Sequence, residues 1–79
     1  MNTYNYKFPV VCPNDGDLII YDLTIKSKKK IMVEHIVSSC KMIKEKHHED
    51  IADFLASQFN GSHTITATHQ GVLITTTRG

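Results

Sequence analysis

The sequence contains no tryptophan, two prolines, two cysteines and no apolar run near the roughly 20 residues that a membrane-spanning helix needs. No segment near its start has the pattern of a signal peptide. Two cysteines are too few for the disulfide framework of a small secreted domain. We therefore expect a reduced, cytoplasmic protein that is not embedded in a membrane.

An excess of charge of one sign is also missing, because nine Lys and Arg residues are balanced by eight Asp and Glu residues. Such a chain has no broad positive field for phosphate backbones, so we expect no direct nucleic-acid partner. The local cluster formed by Lys26 and residues 28–30 is interpreted as a solvated turn. With 79 residues, the chain is expected to form a single domain, residues 1–79, with a thin core.

Two apolar alternations at the start of the chain predict a β-hairpin. The residues that share the inner face of these strands are Tyr4, Tyr6, Phe8, Val10 and Cys12, then Ile19, Tyr21, Leu23 and Ile25. Pro9 indicates an edge strand or a bulge, because proline cannot donate to a sheet ladder. The "PNDG" segment at 13–16 between the two runs has strong turn chemistry.

The apolar period then changes from two residues to that of an α-helix. The apolar positions at helical spacing are Val33, Ile36, Val37, Cys40 and Ile43, then Ile51, Ala52, Leu55 and Phe59. Asn60-Gly61 predicts a left-handed cap at the end of the second helix. A β-branched segment with a turn at Gln70-Gly71 predicts a second hairpin, 63–68 and 72–77.

The predicted order is therefore strand, strand, helix, helix, strand, strand. Two helices can cover one face of a four-stranded antiparallel sheet, which gives an α+β domain. Open sheet edges and a small core favour association with other copies, so we expect a homo-oligomer.

Cys12 is the first candidate for chemistry, since it ends an apolar strand beside a turn that contains Asp15 and Asp17. An anionic neighbour disfavours a thiolate, so a catalytic aspartate here would have to take the proton and return it. The alternative is a small buried side chain at the end of a strand.

His47, His48 and Glu49 lie where the two helical patterns meet. Adjacent histidines on a helix point in different directions, and CxxC and HExxH are both absent, so we expect no zinc site. A carboxylate such as Glu49 can accept two hydrogen bonds from the amino-amide edge of a guanine-like ring. Both Glu49 and Glu34 have a simpler alternative as acids in the first turn of a helix.

The segment "FPVVCPNDGD", followed by "VE" and then "HED", resembles the 7-cyano-7-deazaguanine (preQ0) reductase family, known as QueF. That family has the tunnelling fold (T-fold), in which ββααββ units join into barrels that bind purines or pterins between subunits. The resemblance implies Cys12 as the nucleophile and Asp17 as the proton-transfer acid, with two residues fewer between them. It also implies Glu34, His48 and Glu49 as substrate-binding residues, and nitrile chemistry on preQ0 through a cysteine thioimide.

The resemblance runs from Phe8 into the last hairpin, with two departures. The family's Ser-Lys-Ser, which is associated with nicotinamide binding, is replaced by residues 35–37, and its Arg-Gly-Gly is replaced by residues 70–72. NADPH therefore remains a candidate cofactor, although the motif that binds it in the family is missing from this sequence. The QueF-like amidinotransferases also lack that motif and add ammonia to the same intermediate.

A second resemblance is to GTP cyclohydrolase I, through "EDIADFL" and "ATHQGVLITTTRG". Cys12 and His69 would fall on two zinc ligands of that family, while the third position is Gly71. A third possibility is a catalytically silent module that binds a purine or a pterin.

Overall fold

The computed structural model describes residues 1–79 and contains the six predicted elements in the predicted order. The two strands of the first hairpin are followed by two helices and by the second hairpin. The bounds are β1 Asn2–Val11, β2 Leu18–Ser27, α1 Val33–Lys41, α2 His48–Gln58, β3 Ser62–His69 and β4 Val72–Arg78. Neither helix is long and apolar enough to cross a membrane.

The four strands form one antiparallel sheet in the order β1-β2-β3-β4. The first hairpin pairs without a break from Asn2 opposite Ser27 to Val11 opposite Leu18. Pro9 lies on the edge strand β1, opposite Ile20, as its missing N–H requires. The prediction of an α+β domain built on a four-stranded antiparallel sheet is confirmed.

The second hairpin closes through a tight two-residue turn at Gln70 and Gly71, whose φ angles are 49° and 82°. Positive φ at both central positions matches the right-handed twist of the flanking strands, and glycine adopts it without strain. His69 and Val72 are thereby paired at the end of the sheet that also carries the β1–β2 turn.

Both helices pack on one face of the sheet and enclose a core of fifteen buried residues. The sheet contributes most of the alternating set predicted from the sequence, while Tyr4, Tyr6 and Cys12 are only partly buried against the core. The helices contribute the residues at helical spacing other than Val33 and Val37, and Val37 is only partly buried. The core residues are Phe8, Val10, Ile19, Tyr21, Leu23, Ile25, Ile36, Cys40, Ile43, Ile51, Ala52, Leu55, Phe59, Ile65 and Ala67. Val33 was predicted to join them but is 61% exposed, because α1 begins at this residue, beyond the edge of the core.

The predicted left-handed cap at the end of α2 is wrong. Phe59, the C-cap residue, is extended at φ −131° and ψ 142°, so the chain leaves the helix before Asn60. Gly61 has a positive φ of 100°, and a Cβ there would collide with the backbone oxygen of Lys26. Glycine is therefore required for close approach to β2 rather than for capping.

Candidate active site

Cys12 directly follows β1 and is hydrogen-bonded within the turn that joins β1 to β2. Its backbone N–H donates to the carbonyl oxygen of Asp17 at 2.9 Å, and its own carbonyl accepts from the N–H of Gly16 at 2.9 Å. The residue is partly exposed at the margin of the core, unlike Cys40, which is buried in it. Cys12 is therefore held in a fixed turn with its thiol accessible.

Asp15 is the acid of the β1–β2 turn whose carboxylate is held by hydrogen bonds. One oxygen accepts from the backbone N–H of Asp17 at 3.0 Å, and the other accepts from Nε2 of Gln70 at 3.3 Å. These hydrogen bonds, the backbone one first, lower the pKa of Asp15, with a smaller contribution from the thiol of Cys12. Asp17 takes part in the turn through its backbone, and its side chain makes no hydrogen bond or ion pair.

A cavity of about 320 Å³ opens between the two hairpin turns. Its lining brings the thiol, a carboxylate and an imidazole to one place. The lining residues are Cys12, Asn14, Asp15, Ile19, His69, Gln70 and Val72. The thiol of Cys12 and the imidazole of His69 therefore face a shared space in which a small ligand or water can lie.

His48, in the first turn of α2, is buried and hydrogen-bonded at both ring nitrogens. Its Nδ1 lies 3.2 Å from Nε2 of His69, and its Nε2 lies 2.9 Å from Oγ1 of Thr76. Burial is the main cause that lowers the pKa of His48, and His69 adds to it. At neutral pH His48 is therefore an uncharged imidazole that links α2 to the second hairpin.

Tyr21, on the inner face of β2, completes this chain of polar groups. Its hydroxyl lies 3.2 Å from Nε2 of His69, and its ring centroid lies 5.4 Å from that of His48. Burial, with a smaller effect of Cys12, raises the pKa of Tyr21 to about 12. The phenol therefore remains protonated across the physiological range.

Glu49 lies in the first turn of α2 and faces β4. Its Oε1 accepts from Nη2 of Arg78 at 2.6 Å, while Nε of the same arginine donates to Asp53 at 3.0 Å. The hydrogen bond to Glu49, followed by that to Asp53, raises the pKa of Arg78. The side chain of Glu49 is 67% exposed, so this ion pair leaves the carboxylate accessible from solvent.

The predicted site residues thus occupy three places. Cys12 and Asp17 lie in the β1–β2 turn, and His48 and Glu49 lie at the start of α2. Glu34 lies in the first turn of α1, where its exposed side chain makes no hydrogen bond or ion pair.

Sequence reasoning did not identify the hydrogen-bonded cluster of Tyr21, His48, His69 and Thr76. His69 was noted without a partner, and Tyr21 was assigned only to the core face. The alternation of the second hairpin could have indicated part of the cluster. Strand pairing places Thr76 opposite Ile65, and Ile65 is on the face of β3 that also carries His69.

Comparison with known proteins found no match to a protein-family model, to a curated protein or to a solved structure. The side chains also form no group of three or more His, Cys, Asp or Glu residues arranged to hold a metal ion. Cys12 and His69 share a cavity, but Gly71 offers no side chain as a third ligand, so the zinc of the cyclohydrolase pattern does not fit.

Proposed function

We propose that this protein is a tunnelling-fold enzyme that acts on the nitrile of 7-cyano-7-deazaguanine through a thioimide on Cys12. The observation that carries the proposal is the cavity lined by Cys12, Asp15 and His69, which brings a thiol, a carboxylate and an imidazole together. The ββααββ order and the motifs around Cys12 and Glu49 support the same function.

The proposed step is addition of the thiol across the carbon–nitrogen triple bond. Sulfur forms a bond to the nitrile carbon, one π bond opens, and the proton that leaves sulfur ends on the nitrogen. No oxidant or reductant is consumed, so the step needs only a nucleophile and a group that carries the proton. Asp15 lines the same cavity as Cys12, while the family resemblance assigns the proton-carrying role to Asp17, which is two residues further along the chain.

The ring is proposed to be held at the start of α2. A carboxylate such as that of Glu49 accepts two hydrogen bonds from the N–H edge of a guanine-like ring, and its exposure leaves it available to a ligand. His48 precedes it and contacts His69, a residue of the Cys12 cavity, so ring binding and nitrile attack are adjacent. Glu34, from the Val-Glu segment, is the further binding residue in this proposal.

The second hairpin and the sheet edges support assembly into a homo-oligomer. β1 and β4 are the two outer strands, and several large apolar side chains on β2 and β4 are exposed to solvent. Leu18, Ile20 and Leu73 are 66%, 56% and 67% exposed. Closure of several units through these strands would cover both features.

The test is intact mass after incubation with preQ0, first alone and then with NADPH or with ammonia. The wild-type protein should gain the mass of one preQ0 per chain, and Cys12→Ala should gain none. Cys40→Ala is the matched control and should keep the adduct, because burial raises the pKa of the Cys40 thiol to about 12. Adduct formation in Cys12→Ala would overturn the proposal.

The alternative of a silent purine- or pterin-binding module makes a different prediction in the same assay. Such a module would bind preQ0 or GTP in a calorimetric titration and show no mass gain. The Cys12 cavity, with its thiol, carboxylate and imidazole, favours the enzyme over this alternative.

A further inference from the structure

His69 is a titratable residue of the Cys12 cavity that the proposed nitrile chemistry does not yet use. Its Nε2 is shared between the hydroxyl of Tyr21 and Nδ1 of His48, both at 3.2 Å. Its Nδ1 makes no hydrogen bond within the chain, and the side chain is only partly buried. One nitrogen is therefore fixed by the protein and the other is free.

We propose that His69 accepts the proton of the Cys12 thiol at Nδ1, with Nε2 held as a donor by Tyr21 and His48. This inference deepens the proposed function by naming its proton carrier, and its test below is independent of preQ0. The transfer crosses the cavity of about 320 Å³, which is large enough for a bridging water.

The hydrogen-bond pattern supports this assignment of protons. One N–H shared between two acceptors is a common arrangement, and here Nε2–H of His69 would point at Nδ1 of His48 and at the oxygen of Tyr21. His48 then carries its own proton on Nε2 and donates to Thr76. Every ring proton has an acceptor, and the remaining lone pair of His69 lies on Nδ1.

The same pattern also accommodates the protonated ring. A positive His69 keeps Nε2–H where it was, and a proton is added only at Nδ1, so neither partner has to reorient. The charged and titratable groups around it are Tyr21 on β2, His48 on α2, and Cys12 and Asp15 in the first turn.

Of these neighbours, Asp15 has its pKa lowered by its hydrogen bonds and is anionic at neutral pH. Glu49 and Arg78 lie beyond His48 and act on that ring.

The atoms balance when the relay is applied to a nitrile. The proton moves from sulfur to Nδ1 of His69, sulfur bonds to the nitrile carbon, and Nδ1 returns the proton to the nitrile nitrogen. The cysteine never has to exist as an isolated thiolate beside Asp15. The arrangement follows the general pattern of a nucleophile, a base and groups that orient the base.

The experiment measures the rate at which iodoacetamide alkylates Cys12 from pH 6 to pH 10, in the wild type and in His69→Gln. At pH 7 the variant should react about tenfold more slowly than the wild type. This factor is smaller than the rate gain that a general base gives in an enzyme, because iodoacetamide is not held in position by the protein. At pH 10, where an ordinary thiol is ionised without help, the two rates should be equal. Loss of packing alone would change the rate at both pH values.

His63→Gln is the matched control, because His63 lies on the same face of β3 and neither of its ring nitrogens has a hydrogen-bond partner. It should leave the ratio of the rates at pH 7 and pH 10 unchanged. Tyr21→Phe removes only the hydroxyl and should lower the rate at pH 7 by a smaller factor, which keeps the test valid if His69→Gln does not fold. Cys12→Ala should show no alkylation.

An unchanged ratio in both His69→Gln and Tyr21→Phe would overturn the inference. An equal loss in His63→Gln would overturn it as well, since the effect would then be loosening of β3. If these variants behave as expected while preQ0 forms no adduct, the relay stands and the nitrile chemistry falls. If the adduct forms and the ratio of the rates at pH 7 and pH 10 is unchanged, the nitrile chemistry stands and the His69 relay falls.

Discussion

Nη2 of Arg78, at the end of β4, donates to Oε1 of Glu49 at 2.6 Å, so the proposed ring-binding carboxylate already has a cationic partner on the neighbouring strand. The same arginine contacts Asp53 one turn further along α2 at 3.0 Å. Because both carboxylates are 67% exposed, these pairs contribute little to stability. Arg78 therefore orients the Glu49 carboxylate and can keep Asp53 as its partner when a ligand binds.

Glu49→Gln should weaken preQ0 binding by roughly tenfold to a thousandfold, because one acceptor becomes a donor that faces a donor on the ring. The matched control is Asp53→Asn, which removes the other carboxylate on Arg78 and should leave affinity nearly unchanged. Both variants should retain the fold. Calorimetric titration with preQ0 and with GTP measures the effect. Equal affinities for wild type and Glu49→Gln would reduce Glu49 to a first-turn acid, and His48 would lose its assignment with it.

Light scattering at micromolar concentration should show a mass at least twice the 8.9 kDa of one chain, in whole-number multiples. The reason is that β1 and β4 leave unpaired backbone groups at both edges of the sheet. Leu73→Lys, which places a charge on an exposed apolar position of β4, should lower the measured mass. A monomeric wild-type protein would contradict assembly and any site shared between subunits.

Much of the fold could be predicted because each element carries its own local signal. The alternation of Ile19, Tyr21, Leu23 and Ile25 predicts the buried face of β2, and all four are in the core. Gln70-Gly71 predicts the turn because the twist of a hairpin requires positive φ at both positions. The cap predicted from Asn60-Gly61 was wrong because this glycine is required for close packing against Lys26. No local sequence pattern reveals that contact.

The candidate site was less accessible to sequence reasoning because its contacts join distant parts of the chain. The hydroxyl of Tyr21 and Nε2 of His69 are separated by 48 residues in sequence, and the ring nitrogen of His48 lies 21 residues from the same atom. Cys12 could be identified from its turn, but which aspartate lies beside it depends on the conformation of the turn. The carboxylate of Asp15 accepts a hydrogen bond from Gln70, which lies in the other hairpin, and this contact could not be read from the sequence.

His63→Leu should raise the free energy of unfolding by about 1–3 kcal/mol, because a buried polar group without a partner costs its full desolvation. His63 is 5% exposed, and neither ring nitrogen has a hydrogen-bond partner. The contrasting variant is Thr76→Val, also on the inner face of the second hairpin. It should lower the free energy of unfolding, because it leaves Nε2 of His48 without a hydrogen-bond partner. Urea denaturation measures both. A destabilised His63→Leu would mean that the ring is needed for its shape or for a partner.

Stability should fall as the pH is lowered below about 6.5, the ordinary pKa of an imidazole, because His48 is buried as an uncharged ring. Burial, with His69, lowers the pKa of His48 in the folded state, so between that value and 6.5 the unfolded chain binds more protons than the folded one. The free energy of unfolding therefore decreases with falling pH in this window and levels off below the folded-state pKa.

Urea denaturation at pH 8, 6.5 and 5 should show this loss in the wild type and a smaller loss in His48→Gln, whose side chain does not titrate. The control is His47→Gln, since His47 is the neighbouring residue and is exposed. This variant should keep the wild-type pH dependence. The same slope in all three proteins would show that the pH dependence comes from groups other than His48, and the neutral imidazole at the start of α2 would then have no part in acid stability.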